Sequence, residues 1–324
     1  MYNNLKKYKS TFILLVKFLI VSGAYYFISQ KISNNDLFEN TGFLTDSARD
    51  ILDNPYVLFL LFLFTFFNWY LEILKWKTLV ASVKKITFFD ALKQSLSSLT
   101  ASLLTPNRIG EYGAKAIYYP KNERYNILFM NFLGNINQMF MTVLFGAFGL
   151  FFLMRFLPIS IKLSELQIFG AMISFVLVLL FSLSKKVKIY LNKITNLLRT
   201  VTPKIHFLNL FYSFLRYLVF SHQFYFLLFF FGADLDYFSA MPIIFTMYLL
   251  ASIIPSFVFF DWLIKGSVAV SLFSVFHINE MLILSITGIM WLANFAFPSL
   301  VGSYFVLTFT EPVSPKLEEN IITI

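Results

Sequence analysis

The sequence has no cysteine and only three histidines among its 324 residues, which excludes several kinds of chemistry. Without cysteine there can be no disulfide, no thiolate metal site and no cysteine nucleophile. The three histidines, His206, His222 and His277, are far apart and lack the spacing of a metal-binding motif such as HExxH. We therefore expect neither a metal nor any other cofactor.

Charge is also scarce, at 13% of the residues, whereas hydrophobic residues make up 58% and aromatic residues 20%. The mean hydropathy of +0.72 lies well outside the range of soluble globular proteins. This composition predicts an all-α polytopic membrane protein. The formal net charge of +9 does not indicate nucleic-acid binding, because the basic residues fall mostly in short loops between apolar segments, where the positive-inside rule expects them.

Apolar segments long enough to cross a membrane occur about six times in the chain. The predicted full spans are 11–27, 55–79, 126–154, 166–183, 207–231 and 279–309. Lysines precede the first span, and an acid-free basic segment follows the fourth. By the positive-inside rule both termini are cytoplasmic, and we expect a bacterial inner (cytoplasmic) membrane protein.

Two further segments, 88–120 and 237–276, contain breaks. They predict re-entrant helical hairpins, which enter the membrane and leave it on the same side. The first break, TPNRIGEYGAKAIYY at 105–119, is a polar insert within apolar surroundings. Its ionisable residues need an explanation, since a charge at membrane depth costs roughly 2.5 to 3.5 kcal/mol on insertion scales. Thr105 as N-cap and Pro106 at the first helical position predict a helix that starts inside the membrane.

The two halves of the chain, 1–155 and 156–324, have the same order of elements: span, span, broken hairpin, span. The first half starts in the cytoplasm and the second starts outside, which is the pattern of an inverted-topology repeat. Both breaks also carry an acid four residues before a lysine, namely Glu111 with Lys115 and Asp261 with Lys265. The alternative is that the likeness is accidental.

The first break predicts an anion site, because a helix start directs free N–H groups at its ligand and Arg108 adds a guanidinium. A lipid phosphate is the ligand that we expect. Glu111 can pair with Lys115, accept a headgroup amine or carry a proton. In the alternative interpretation these charges only hold the repeats together, and the same two interpretations apply to Arg216. The candidate substrate-binding residues are Pro106, Arg108, Gly110, Glu111, Lys115, Arg216, Asp261 and Lys265.

Other polar residues within the spans have simpler interpretations. Asn131, Asn135 and Gln138 share one helical face, which should face protein and either bond neighbouring helices or line a substrate path. His222 is expected to be packed and hydrogen-bonded rather than a proton relay. A group of residues near the end of the second span is expected to anchor it at the membrane interface. That group is Trp69, Glu72, Lys75 and Trp76.

The stretch LLTPNRIGEYGAKA resembles the first signature of the flippase-like family that is also called the lysylphosphatidylglycerol synthase transmembrane region. The matching positions are Pro106, Gly110 and Glu111. In the second half, IIPSFVFFDWLIKGSVA keeps Pro255 and Asp261 but lacks the paired glycines usual in that family. The resemblance implies a lipid-translocating or lipid-binding membrane protein. Because the chain continues only to Ile324 after the last span, we expect it without the soluble synthase domain.

The sequence as a whole predicts a flippase-like transporter that binds an anionic or glycosylated lipid headgroup between two inverted repeats and moves it between leaflets. The expected partners are a membrane and a phospholipid or lipid-linked substrate; the oligomeric state is not predicted. One alternative is a membrane-embedded transferase with Glu111 or Asp261 as general base. Another is a non-catalytic partner subunit.

Overall fold

A computed structural model describes residues 22, 43–103, 105, 108–154, 194–254 and 261–310. The regular structure in these ranges is helical and includes no strand, so the prediction of an all-α protein is confirmed. Apart from Ser22, the predicted spans at 11–27 and 166–183 lie outside the described residues.

Ten α-helices make up most of the described chain. They are α1 (Phe43–Leu52), α2 (Pro55–Val80), α3 (Phe88–Ser102), α4 (Gly110–Ala116), α5 (Arg124–Leu153), α6 (Pro203–Phe230), α7 (Tyr237–Ile253), α8 (Asp261–Phe273), α9 (Glu280–Trp291) and α10 (Phe297–Leu307). A 3-10 turn at Ser274–Phe276 follows α8, and a π-helical segment at Leu292–Ala296 joins α9 to α10. Residues 194–200 are also helical.

Three of the described helices are long and apolar enough to cross a membrane: α2, α5 and the continuous helix Glu280–Leu307. Their bounds lie within a few residues of the predicted ones. Helix α6 has 28 residues, which corresponds to about 42 Å at 1.5 Å per residue and exceeds the roughly 30 Å of a hydrocarbon core. That α6 is a further full span stays a prediction.

Large apolar side chains on the outer surfaces of α2 and α5 are exposed, as expected for helices that face lipid. They include Phe59, Phe62, Phe66, Phe140, Phe148 and Phe151. The buried apolar side chains form separate clusters, one mainly of residues from α6 to α9 and another around Trp76, Leu79 and Met130.

Helices α3 and α4 form an antiparallel hairpin. Ser97 bonds Tyr118 at 2.9 Å between hydroxyl oxygens, and the Tyr119 hydroxyl donates to the Oε1 of Gln94 at 2.9 Å, nearer the open end. The 15 residues of α3 extend about 22 Å and the seven of α4 about 10 Å, so both are shorter than a hydrocarbon core. Neither helix is long enough to cross a membrane alone, and that the hairpin is re-entrant stays a prediction.

Helix pairs link the two halves of the chain. Thr65 and Glu72 of α2 contact Gln223 and Arg216 of α6 in reversed order, so these helices are antiparallel. Helix α7 packs against α5, and α10 packs against α3. In each half, the helix before the break (α3 or α7) therefore packs against the last long helix of the other half (α10 or α5).

Glycines bring the backbones together at both of these crossings. A Cβ on Gly302 of α10 would lie 2.2 Å from the carbonyl oxygen of Leu96 and 2.4 Å from the Oγ1 of Thr100. A Cβ on Gly149 of α5 would lie 2.4 Å from the carbonyl oxygen of Pro242 and 2.8 Å from the Oγ1 of Thr246. In both helices the threonine lies four residues after the carbonyl. Thr246 donates to that carbonyl at 2.9 Å, whereas the Thr100 hydroxyl lies 3.2 Å from the Leu96 carbonyl oxygen and 2.7 Å from that of Ser299 on α10.

Candidate functional site

Six charged side chains from α2, α6 and the first hairpin form two adjoining groups that we call the charged cluster. Its members are Glu72, Lys75, Arg108, Glu111, Lys115 and Arg216. Four members are almost completely buried, with exposed fractions of 8% for Glu72, 2% for Lys75, 6% for Glu111 and 1% for Lys115. Charges in such a place must be paired, because an isolated buried ion is very costly.

The first group lies on α4 and at the tip of its hairpin. Lys115 Nζ lies 2.8 Å from Glu111 Oε1, one helical turn away, and also donates to Asn131 Oδ1 at 2.8 Å. The same ammonium lies 4.4 Å from the centre of the Trp76 ring, which adds a cation–π contact. Arg108 Nη2 lies 3.2 Å from Glu111 Oε2, so both cations share one carboxylate.

The second group joins α2 to α6. Lys75 Nζ lies 2.6 Å and Arg216 Nη1 lies 2.8 Å from the same oxygen, Glu72 Oε2. Arg216 Nε also donates to Asn68 Oδ1 at 2.9 Å. The interfacial anchoring predicted for this end of α2 is therefore wrong for the charged residues, since both are buried and pair within the protein.

The two groups adjoin each other, because Lys115 contacts the ring of Trp76, the residue that follows Lys75 on α2. The charged cluster contains four cations and two carboxylates, an excess of two positive charges. Arg108 is its most accessible member, with 42% of its side chain exposed. Its Nε atom is buried and has no hydrogen-bond partner among the described residues. An anion that reaches Arg108 would meet both a donor and a positive field.

The tip of the first hairpin differs from the predicted helix start. Helix α4 begins at Gly110 rather than at Pro106, which lies outside the described residues. Thr105 still acts as a cap, because its Oγ1 accepts a hydrogen bond from the N–H of Gly110 at 2.8 Å. A Cβ on Gly110 would lie 2.8 Å from the carbonyl oxygen of Ala101, so glycine permits this close turn. Because Thr105 already accepts the N–H of Gly110, the anion site stays a prediction that depends on Arg108.

Arg108 itself has φ of 58°, a left-handed conformation that a non-glycine residue adopts at a cost of about 1–2 kcal/mol. The guanidinium lies 5.5 Å from the centre of the Phe295 ring. Phe295 belongs to the π-helical segment of the second half, so the hairpin tip of the first half contacts the last long helix of the chain. Backbone strain of this kind is concentrated at functional sites.

The π-helical segment places Asn294 in an amide network that the sequence did not reveal. Asn68 Nδ2 donates to Asn294 Oδ1 at 2.8 Å, and Asn294 Nδ2 donates to Gln223 Oε1 at 2.8 Å. The Trp69 indole donates to the Asn294 carbonyl oxygen at 3.1 Å. Through Asn68 the network reaches Arg216, and it therefore supports the charged cluster from a further helix.

The polar face predicted on α5 contacts protein, as expected. Asn131 accepts from Lys115, Asn135 donates to the Tyr112 hydroxyl at 2.9 Å, and Gln138 donates to the Ser213 carbonyl oxygen at 3.4 Å. His222 is hydrogen-bonded, as predicted; that it is not a proton relay stays a prediction. Its ring nitrogens lie 2.8 Å from the Leu218 carbonyl oxygen and 2.9 Å from the Tyr237 hydroxyl.

The residues of the second break lie largely outside the described part of the structure, so their place in a shared site stays a prediction. Pro255 lies outside the described residues. Asp261 begins α8, but its side chain lies outside the described part of the structure, and Lys265 lies partly buried on the same helix. Among the described residues there is no group of three or more histidines or carboxylates that could hold a metal ion.

Comparison with known proteins decides the family. The family described as the lysylphosphatidylglycerol synthase TM region matches residues 15–302, most of the chain. The chain belongs to this family. The resemblance seen at Pro106, Gly110 and Glu111 is thereby confirmed. No curated protein and no solved structure gives a significant match.

Membership in the lysylphosphatidylglycerol synthase TM-region family fits the apolar helices of the structure. Together they establish a multi-pass membrane protein, and the family is consistent with a lipid-related membrane function.

Proposed function

We propose that this member of the lysylphosphatidylglycerol synthase TM-region family is a flippase-like transporter that binds an anionic or glycosylated lipid headgroup and moves it between leaflets. The observation that carries the proposal is the excess of two positive charges in the charged cluster, four of whose members are almost completely buried. A lipid phosphodiester brings one negative charge and would reduce that excess. The lipids of the surrounding membrane supply such anions.

Arg108 is the residue that first meets the phosphate. Its side chain is the most exposed of the charged cluster, and its buried Nε lacks a partner among the described residues. Glu111 positions Arg108 and Lys115 through its two oxygens, and Gly110 permits the tight turn before them. Arg216 adds a cation from the second half.

The two halves, 1–155 and 156–324, act as inverted repeats in this proposal. Support comes from the helix pairs. If α2, α3 and α5 of the first half correspond to α6, α7 and the last long helix of the second, the contact of α3 with α10 corresponds to that of α7 with α5. The contact between α2 and α6 then corresponds to itself. The crossings at Gly302 and Gly149 have the same arrangement of carbonyl and threonine hydroxyl. In transporters of this kind, sites lie where broken helices meet near the bilayer midplane.

The second break completes the proposal. Pro255, Asp261 and Lys265 would correspond to Pro106, Glu111 and Lys115, and the two hairpins would re-enter from opposite sides of a bacterial inner membrane. Both termini would then be cytoplasmic. An equivalent break on each side of the membrane would let the headgroup move from a site open to one leaflet to a site open to the other.

Lipid movement in reconstituted liposomes tests the proposal. Phosphatidylglycerol with a nitrobenzoxadiazole-labelled acyl chain is distributed over both leaflets, and dithionite quenches the label in the outer leaflet. Wild-type protein should make nearly all label accessible. Arg108→Ala should slow this movement about tenfold or more, since hydrogen bonds to charged groups contribute about 1.5–3 kcal/mol. Glu111→Gln should slow it as well, because Arg108 and Lys115 lose their shared partner.

Lys84→Ala is the matched control, because Lys84 is an exposed cation on the loop after α2 and should leave the rate unchanged. Equal rates for wild type, Arg108→Ala and Glu111→Gln would contradict the proposed site. A covalently changed lipid found by mass spectrometry would instead indicate a transferase. Loss of a co-purifying protein without any lipid effect would indicate a partner subunit.

A further inference from the structure

A line of uncharged polar side chains lies between α5 and α6, and we call it the polar seam. Its members are Asn131, Gln138, Asn209, Ser213 and Tyr217. Positions 209, 213 and 217 follow one another at intervals of four, so they share one face of α6. That face meets α5, because Gln138 bonds the Ser213 carbonyl oxygen and the Tyr217 ring stacks 4.8 Å from that of Phe145.

Most side-chain polar atoms of the seam are buried without a partner among the described residues, although Asn131 and Gln138 each make one hydrogen bond. Asn209, Ser213 and Tyr217 have exposed fractions of 0%. Six of its polar atoms have no hydrogen-bond partner among the described residues: Asn131 Nδ2, Gln138 Oε1, Asn209 Nδ2, Asn209 Oδ1, Ser213 Oγ and Tyr217 OH. Each such group lowers the stability of the protein by about 1–3 kcal/mol if it stays unpaired. A polar molecule bound at the seam would satisfy these groups.

The chemistry of the seam selects that occupant. Amides and hydroxyls both donate and accept hydrogen bonds, whereas an ammonium only donates and a quaternary amine does neither. None of the five side chains carries a charge. A ligand with several hydroxyl groups matches this set, because every hydroxyl donates one bond and accepts two.

The seam adjoins the charged cluster through α5. Asn131 Oδ1 accepts from Lys115 of the cluster, while Asn131 Nδ2 is one of the unpaired atoms of the seam. Lys75 reaches the same helix, since its Cε would lie 3.7 Å from a Cβ on Gly134. A single headgroup can therefore place its phosphate at the cations and its hydroxyls along the seam.

We infer that the polar seam binds the hydroxyl groups of a polyol or sugar headgroup whose phosphate is held by the charged cluster. This inference rests on the proposed function and specifies its substrate class. Phosphatidylinositol and other phosphodiester lipids with hydroxyl-rich headgroups belong to this class, and choline or ethanolamine phospholipids do not.

Binding measured apart from transport tests the inference. The purified full-length chain in detergent is titrated with short-chain phosphatidylinositol and with phosphatidylethanol, which has the same single charge and no hydroxyl. Wild-type protein should bind phosphatidylinositol about three- to tenfold more tightly, as expected for one or two net hydrogen bonds. Asn209→Leu and the conservative Tyr217→Phe should abolish this preference and leave the Kd for phosphatidylethanol unchanged.

Two controls separate ligand binding from a purely structural role. Ser271→Ala removes an exposed hydroxyl that bonds the Ser267 carbonyl oxygen of its own helix, and it should preserve the preference. Without lipid, the seam variants should unfold at the same or a higher temperature than wild type, because they replace unpaired buried groups by apolar ones.

Each outcome has a definite meaning. Equal affinities for the two lipids in the wild type, or a preference that survives both seam variants, would overturn the inference and assign the seam to buried water only. Glycerophosphoinositol, which lacks acyl chains, separates a lipid from a soluble ligand. If it binds as tightly and the seam variants weaken it, the seam is supported and lipid transport is contradicted. A preference for phosphatidylinositol without movement in liposomes contradicts the proposed function alone.

Discussion

Arg216 Nη1 lies 2.8 Å from Glu72 Oε2, and this ion pair joins α6 to α2 across the two halves of the chain. Because Lys75 shares the same oxygen, one carboxylate compensates two cations in a buried place. A buried pair of this kind contributes little beyond its desolvation cost, whereas removal of one partner leaves an uncompensated charge. Substitution of Glu72 is therefore the most direct measure of how much this carboxylate contributes to stability.

Glu72→Gln should lower the free energy of unfolding by about 3–5 kcal/mol, because Lys75 and Arg216 then remain buried without a counter-charge. Chemical unfolding in detergent micelles gives this value. Asp53→Asn, at an exposed carboxylate after α1, is the matched control and should change it little. A loss for Glu72→Gln no larger than that of the control would show that the cations do not depend on this carboxylate.

Gly302→Ala should destabilise the α3–α10 crossing by about 1–3 kcal/mol, since its Cβ would lie 2.2 Å from the Leu96 carbonyl oxygen and a backbone must shift. Gly113→Ala is the control, because nothing lies within 4 Å of a Cβ there. It should be neutral or stabilise α4 by up to about 1 kcal/mol. Similar unfolding temperatures for the two variants would refute the close approach.

Arg108→Gly should separate stability from lipid movement. Glycine removes the left-handed strain at φ 58°, so the unfolding free energy should stay constant or rise by about 1 kcal/mol even though the Glu111 contact is lost. The rate of lipid movement should fall as for Arg108→Ala. Ile109→Gly, at a neighbouring exposed residue with φ of −59°, should lower stability instead. A stability loss at both positions would argue against strain at Arg108.

Gln94→Leu should cost about 1–3 kcal/mol for each of two buried donors. The Trp76 indole and the Tyr119 hydroxyl both donate to Gln94 Oε1, at 2.8 Å and 2.9 Å, and a leucine would leave them unpaired. Ser95→Ala is the neighbouring control, because the buried Ser95 hydroxyl has no partner among the described residues. That variant should be neutral. Thermal unfolding monitored by tryptophan fluorescence compares the two.

The sequence was most informative where hydrophobicity alone sets the structure. The bounds of α2 and α5 follow from apolar runs between polar ends, and Asn131, Asn135 and Gln138 face protein as their spacing required. The family could be identified because Pro106, Gly110 and Glu111 stand in a short local motif. The helix bounds, the polar face of α5 and the family motif all depend on residues that are close together in the sequence.

Features that depend on tertiary packing were missed or predicted wrongly. Glu72 and Lys75 occur near tryptophan at the end of a span, as interfacial residues do, and only the position of α6 shows that they are buried. The start of α4 at Gly110 depends on Thr105 reaching across a turn. Asn294 gave no signal, because a π-helical segment has no recognisable sequence pattern. Glu72 lies within an apolar run and could have been examined for a distant cation in addition to Lys75, since a charge in such a run requires compensation.

The π-helical segment Leu292–Ala296 also determines what the final helix can contact. An α-helix turns by about 100° per residue, so the extra residue of a π turn rotates every later side chain by about that angle relative to a continuous α-helix. Asn294 can thus meet α2 and α6, while Gly302 faces α3. Removing a single residue from this segment would turn Gly302 away from Leu96 and present a bulkier neighbour to the crossing, although no residue of the charged cluster would have changed.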